Sequence, residues 1–340
     1  VFVHSLRKEG ASLGSHSFDF KRLIDLEKKE KVAIGASHMS KRFGDFWAVK
    51  DVSIKVGYGE IFGLLGANGA GKTTTIKMLC GLLSISGGEM ELCGQSGNLR
   101  SSRLRGRLGY MSQKFTLYDD MTVLENMEFY CGVYGIRPPL REERIAWALS
   151  SCGLSGQENL LTGKLPGGWK QRLAFGACVM HEPEVLFLDE PTSGVDPLAR
   201  RQLWDMIGNF AANGTAVLVT THFLEEAEHC HRLAFMAGGQ IVAQGSPGQI
   251  KGQQPGELME LIARPVQKAY QSLKESFEPW RVSIFADKVH LVVSNAHDIE
   301  KARGLLADAG IELVSLRKIP FSLEDSFIGI VERASLAVAR

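Results

Sequence analysis

Residues Gly66 to Thr73 read GANGAGKT, an instance of the pattern GxxxxGK[ST]. Glycines at this spacing let a backbone curl tightly enough to turn several N–H groups onto one anion. A helix beginning at the end of such a loop aims the positive end of its dipole at the same anion. The chemistry expected is binding of a nucleotide polyphosphate. Gly66, Asn68, Gly69, Ala70, Gly71 and Thr74 belong to the expected contact, with Lys72 neutralising the β- and γ-phosphates and the Thr73 hydroxyl on Mg²⁺.

A second cluster follows at 185–191, VLFLDEP, where an apolar stretch ends in two adjacent carboxylates. Asp189 suits the shell of Mg²⁺. Glu190, one residue further on, is placed to polarise an attacking water as general base.

These groups must be held by a sheet. The apolar stretches IFGLL (61–65), LGYM (108–111), VLFL (185–188) and AVLVT (216–220) read as short buried strands. Helical patterns alternate with them, Thr74 to Leu83 among these, giving the rhythm of an α/β unit from Ser37 to about Ile250. Turn residues at 245–249 and 252–256 mark a boundary. Beyond it lie the strand ELMELIA, the helical PVQKAYQSLKES, the strands VSIFAD and VHLVV, the helical DIEKARGLLADAG and the strand IELVSLRKI. That βαββαβ order suits a small ferredoxin-like α+β domain. The expected division is 1–36 as tail or linker, 37–250 as the main domain and 256–335 as the small one. Within 1–36, KRLIDLEKKEK is charge-dense, a solvated helix or linker.

The 340 residues carry 39 basic and 38 acidic side chains, a net charge of +1. That balance argues against a protein whose main work is gripping a phosphodiester backbone. The local cluster Arg100, Arg103, Arg105 and Arg107 reads as a solvated helix face. The six cysteines are scattered without a CxxC pair and read as reduced, mostly core thiols in a cytosolic protein. His229, Cys230 and His231, taken as helical neighbours, point in different directions and make a poor metal site. No apolar run reaches the roughly 20 residues needed to cross a bilayer, and VFVHSLRKEG is not a signal peptide.

With Gln113 in GYMSQK, LPGGWKQR (165–172), SGVDP (193–197) and TTH ending at His222, the two clusters form an ordered set over residues from about 40 to 245. In that set the chain resembles an ABC ATPase. The resemblance implies a P-loop NTPase core with a helical subdomain at about 115–165, and a head-to-tail pair of such units. ATP is then sandwiched between the phosphate loop of one unit and the signature motif of the other. It also implies roles. Gln113 touches Mg²⁺ and the attacking water, Asp196 contacts the opposite unit, His222 bonds the γ-phosphate, and Phe43 stacks on adenine, with Phe46 and Trp47 as neighbouring rings. The aromatic and methionine-rich segment 115–135 supplies subdomain core and part of a groove for a membrane partner.

The signature here is Leu165, Pro166, Gly167, Gly168 and Trp169. Where the family usually has a serine, Pro166 offers neither hydroxyl nor N–H, while Gly167 and Gly168 still present N–H groups at a helix start. The composite site completed by this signature is expected to bind ATP and turn it over slowly. The tail KQRLAF and the closing SLEDSF (322–327) resemble ATPases of multidrug and lipid exporters. The expected function is ATP hydrolysis on the cytoplasmic, inner face of the cell membrane, driving export through separate permease subunits. A soluble ABC ATPase acting on ribosomes or DNA, and a low-turnover regulatory module, are the alternatives. Residues 1–7 can be laid on Ser326 to Glu332, as if a preceding ATPase copy ended there.

Overall fold

The computed structural model describes residues 31–96, 99, 101–113 and 117–338, with side chains to residue 334. The opening segment expected to echo Ser326 to Glu332 lies outside the described residues, as does Arg100. The strands are β1 (Val32–Phe43), β2 (Phe46–Gly57), β3 (Ile61–Leu65), β4 (Gly87–Leu92), β5 (Gln95–Ser96), β6 (Leu108–Met111), β7 (Val185–Asp189), β8 (Ala216–Thr221), β9 (Arg232–Ala237), β10 (Gln240–Gly245), β11 (Glu257–Arg264), β12 (Val282–Phe285), β13 (Lys288–Val293) and β14 (Glu312–Ile319). The helices are α1 (Lys72–Leu79), α2 (Ser102–Arg105), α3 (Val123–Val133), α4 (Leu140–Ser151), α5 (Gly167–Val179), α6 (Pro197–Ala212), α7 (Leu224–Ala227), α8 (Pro247–Gly252), α9 (Val266–Ser276), α10 (Ala296–Asp308) and α11 (Leu323–Val338).

The chain folds as two compact units. One takes the described residues up to Met39 with Ser53–Ile61 and Thr73–Thr220; the other takes Ser40–Val52, Phe62–Lys72 and the chain from Thr221 onward.

In the first unit, β7 lies parallel between β6 and β8. All five residues of β7 and all six of β8 are buried, as continuous apolar runs are when a parallel sheet is covered on both faces. Helix α5 is buried from Gln171 to Val179, so it is apolar nearly all round rather than amphipathic. Helix α3 starts on a capping box in which Thr122 and Glu125 bond each other's backbone, a device worth about 1 kcal/mol. Asp196 caps α6, whose first residue, Pro197, has the fixed φ a helix start wants.

In the second unit, β3 pairs in parallel with β9, and β9 pairs antiparallel with β10. Residues 257–319 follow the order βαββαβ, and the four strands form one antiparallel sheet ordered β12-β13-β11-β14. Its core joins Leu261, Val289 and Leu291 to Ala269 and Leu273 of α9 and Ala302 and Leu306 of α10. Helix α11 packs elsewhere: Leu323, Phe327 and Ile330 join Leu65, Leu233 and Phe235 of the β3/β9 layer. The Phe235 and Phe327 rings meet edge-on at 5.1 Å.

Several sequence expectations are corrected here. Strand β1 begins at Val32, within the stretch 1–36 assigned to a tail or linker, and Ala33, Ile34 and Ala36 in it are buried. Helix α1 ends at Leu79, before Leu83, because Gly81 turns the chain with φ of 74°. His229, Cys230 and His231 follow α7 rather than lying on it, with Cys230 buried and both histidines exposed. Among the described residues no group of three or more His, Cys, Asp or Glu is placed to hold a metal. Arg103 and Arg105 are exposed on α2, but Arg107 makes a bidentate pair with Glu184, at 2.9 and 2.8 Å. All six cysteines are buried and free. Among the described residues, no helix is long and apolar enough to cross a membrane.

Candidate functional site

The loop after β3 has its shape imposed by backbone packing. Gly66 sits at φ of 156°, and a Cβ there would lie 2.3 Å from the Met236 carbonyl oxygen of β9. Gly71, at φ of 104°, would place one 2.6 Å from the Ala48 oxygen of β2. No other residue type fits either position. The Ala70 N–H donates to the Ala67 oxygen at 3.1 Å, and the Ala70 oxygen accepts from Gly239 N at 3.1 Å, fixing the loop's C-terminal limb. Lys72 is buried, and its Nζ donates to the carbonyls of Gly66 at 2.7 Å and Ala67 at 3.1 Å. The ammonium therefore folds over the concave side of its own loop. Asn68 and Gly69 are exposed at the tip, and Thr73 and Thr74 are half-buried in the first turn of α1.

The three candidate rings stand on the β1–β2 hairpin, whose turn is Gly44–Asp45. Phe43, Phe46 and Trp47 are 48%, 66% and 44% exposed, so none of them is core. Lys41 Nζ lies 5.1 Å from the Phe43 ring centroid. The Lys50 N–H donates to the Gly239 oxygen at 2.8 Å, so β2 is tied to the residue that also clamps Ala70.

In the first unit, β7 delivers its two carboxylates to one place. Asp189 is 1% exposed and accepts from Thr220 Oγ1 at 2.7 Å and Thr73 Oγ1 at 3.2 Å. Hydroxyl and carboxylate oxygens of this kind are the hard donors that Mg²⁺ takes alongside water and phosphate. Glu190 follows with φ of 50°, a left-handed conformation that costs a non-glycine residue about 1 kcal/mol or more. Its N–H is held by Thr220, through Oγ1 at 3.0 Å and the carbonyl at 3.1 Å. Its carboxylate accepts from Gln113 Nε2 at 2.8 Å. Thr73 thus meets Asp189, and Gln113 meets Glu190.

Thr220 was missed by sequence reading. It stands opposite Asp189 in the β7–β8 register, and its hydroxyl serves both acidic residues. A threonine closing an otherwise aliphatic buried strand, AVLVT, was the available signal.

Pro166 caps α5 with φ of −56° and no side-chain bond. Its carbonyl accepts from Trp169 N at 2.9 Å and Lys170 N at 3.0 Å. Pro166 and Gly167 are exposed, and Leu165 is buried. Gly168 is buried, and a Cβ there would meet Ala199 Cβ at 2.8 Å. Asp196 Oδ1 accepts from the N–H groups of Leu198 at 3.1 Å and Ala199 at 3.0 Å, as the cap of its own helix. In the second unit, His222 is exposed in the turn between β8 and α7, with its ring 4.0 Å from that of Phe223. Thr221 Oγ1 shapes this turn, donating to the buried Glu226 carboxylate at 2.7 Å and accepting from Phe223 N at 3.0 Å.

Residues 49–193 match a protein family described as ABC transporter, and residues 170–225 match one described as AAA domain, putative AbiEii toxin, Type IV TA system. The chain is 46% identical over 235 residues to the probable multidrug ABC transporter ATP-binding protein YbhF of Escherichia coli (strain K12), which covers 68% of this chain. It spans only 41% of the length of that relative. It is 35% identical over 308 residues to the Nod factor export ATP-binding protein I of Burkholderia pseudomallei (strain 1710b), covering 89% of this chain and 98% of that protein. Among solved structures, the ATP-binding subunit of an ABC transporter matches with a TM-score of 0.60 and 27% identity, over 65% of this chain and 92% of the other.

Proposed function

We propose that this chain, which belongs to the family of ABC transporter ATP-binding proteins, hydrolyses ATP to ADP and phosphate and so powers export through separate membrane permease subunits. The observation that carries the ATPase assignment is the constellation around Asp189. A loop-helix threonine bonds it, and the next residue is a carboxylate already engaged by a glutamine.

In this proposal Gly66 to Thr74 wrap the phosphates, Lys72 neutralises them, and Thr73 and Asp189, with Gln113 beside them, hold Mg²⁺. When bound, that ion neutralises phosphate charge. Glu190 orients a water and takes its proton as general base, worth about 10² to 10⁴ in rate for such a group. Gln113 fixes the carboxylate that does so. His222 donates to the γ-phosphate, and Phe43 stacks on adenine. Leu165 to Trp169 and Asp196 face a second ATPase unit, so that two such units close head-to-tail on ATP.

We further propose the division 37–250 for the ATPase domain, extended to include β1 from Val32, with 115–165 as its helical subdomain. Within 256–335, the sheet with α9 and α10 forms a ferredoxin-like domain; the βαββαβ order and the strand order β12-β13-β11-β14 support this. The side chains of Tyr118, Phe129 and Val133, exposed in large part, support a docking role for 115–135 toward a permease. The complex works at the cytoplasmic face of the cell membrane. Relatives named for multidrug transport and Nod factor export favour export over action on ribosomes or DNA. The test is reconstitution with the membrane subunits in vesicles. MgATP-dependent phosphate release that requires Lys72 is expected, and release unchanged by Lys72→Ala would overturn the proposal.

A further inference from the structure

Glu190 holds a conformation that side chains resist, so its surroundings must over-determine it. One flank is pinned from β8, where Thr220 accepts from the Glu190 N–H. The other flank is Pro191, which has no N–H to anchor and offers only its carbonyl. That carbonyl accepts from Nε2 of Gln171, a buried residue of α5, 3% exposed. Within the turn, Ser193 N donates to the Glu190 oxygen at 3.1 Å and Val195 N to the Thr192 oxygen at 3.2 Å. These inner bonds shape the turn but tie it to no other element. On this flank Gln171 of α5 anchors the turn to another element.

Gln171 also stands one helical turn from Gly167 and Gly168, on the helix whose start carries the signature. A rigid helix connects the two, and Gly168 is backed so closely on Ala199 that it has no room for a Cβ. A shift at the head of α5 is therefore delivered to the carbonyl of Pro191, the residue after Glu190. Sequence reading assigned LPGGWKQR as a unit without a task for Gln171.

We propose that Gln171 is a positioning residue that holds the Glu190 turn in its productive conformation and ties it to the signature helix. Through it, engagement of the signature by the second ATPase unit's nucleotide sets the aim of this chain's own base. The inference rests on the assignment of Glu190 as general base. It goes further in giving a buried amide outside the nucleotide pocket control over the chemical step.

The test is steady-state MgATP hydrolysis by the full chain assembled with its membrane subunits, with MgATP affinity and thermal unfolding measured on the same preparations. Gln171→Met keeps the side chain's length and removes the donor. Gln171→Glu keeps its shape and sets a carboxylate oxygen against the carbonyl. Both are expected to lower kcat about tenfold or more while KM and nucleotide affinity stay within about twofold, as a misaimed catalytic group does. A folded variant of either kind with kcat within about twofold of wild type overturns the proposal. So does a loss of affinity and of melting temperature in step with kcat, which would make Gln171 a packing residue only. Glu190→Gln is the control. If it still turns over, the base assignment has failed; if it is inactive while Gln171→Met is normal, only the role of Gln171 has.

Discussion

Gln113 Nε2 donates a 2.8 Å hydrogen bond to Glu190 Oε2, joining the exposed residue after the end of β6 to a carboxylate that is itself 8% exposed. The amide donor fixes the direction of the carboxylate. Gln113→Leu removes the donor at similar size. Turnover in the assembled complex should fall by about 10- to 100-fold with little loss of nucleotide affinity, the size expected when one orienting bond is lost at a reacting group. Measuring kcat and KM together checks this; a rise in KM with unchanged kcat would place Gln113 in binding alone.

Pro166 gives α5 no side-chain cap, and it stands where the family usually has a serine. In Pro166→Ser, a hydroxyl becomes available both to the head of the helix and to a phosphate in front of it. We predict faster MgATP turnover by the assembled complex, and a small gain in stability of about 1 kcal/mol from the new cap. Stopped-flow phosphate release checks the first and denaturant unfolding the second. Unchanged release would remove Pro166 as a brake.

Gly66→Ala must bring a methyl into the 2.3 Å gap to the Met236 oxygen, at a positive φ that alanine resists. Either β9 or the phosphate loop must move. MgATP should protect the wild type from thermal unfolding, and that protection should be lost or much reduced in this variant. Undiminished protection would show that the loop does not depend on this close approach.

His181 gives a pH prediction. Its ring stacks on Tyr134 with centroids 3.7 Å apart, Nε2 lies 3.0 Å from the Leu108 oxygen, and Nδ1 is buried without a partner. Burial, opposed by the Leu108 carbonyl, pushes its pKa down from 6.5 to about 4. The folded state therefore resists a proton that the unfolded chain accepts. The stability this supplies is fully present above pH 6.5 and is lost as pH falls toward 4, up to about 2 to 3 kcal/mol. Chemical denaturation of wild type and His181→Gln between pH 7 and pH 4 should converge by roughly that amount. Parallel curves would contradict it.

The parts of this chain that were legible in sequence are those whose physics is local. Buried parallel strands write themselves as unbroken aliphatic runs, so β3, β6 and β7 were readable to within a residue, and a glycine-rich loop flanked by strand and helix announces its ligand class. Strands β1 and β2 were not read, because Gly35, Ala36 and Ser37 are poor strand formers and only pairing with neighbours makes them extended. Helix α11 was seen only as a terminal motif; its apolar positions make sense once Leu65 and Phe235 lie beneath them. The roles of Thr220 and Gln171 were not legible for a related reason, although Thr220 stood out in type at the end of an aliphatic run. Each acts across a distance in sequence that only the folded sheet closes, toward Asp189 and Glu190 in one case and Pro191 in the other.

In the proposed mechanism Glu190, directly after β7, is the base for ATP hydrolysis. Glu190→Gln changes one oxygen to an amide and leaves Lys72, Thr73 and Asp189 in place. Single-turnover hydrolysis of MgATP by the assembled complex, with nucleotide binding measured alongside, is the direct measurement. We predict wild-type affinity with hydrolysis slowed by about 10² to 10⁴. Hydrolysis at the wild-type rate with affinity intact would contradict the account.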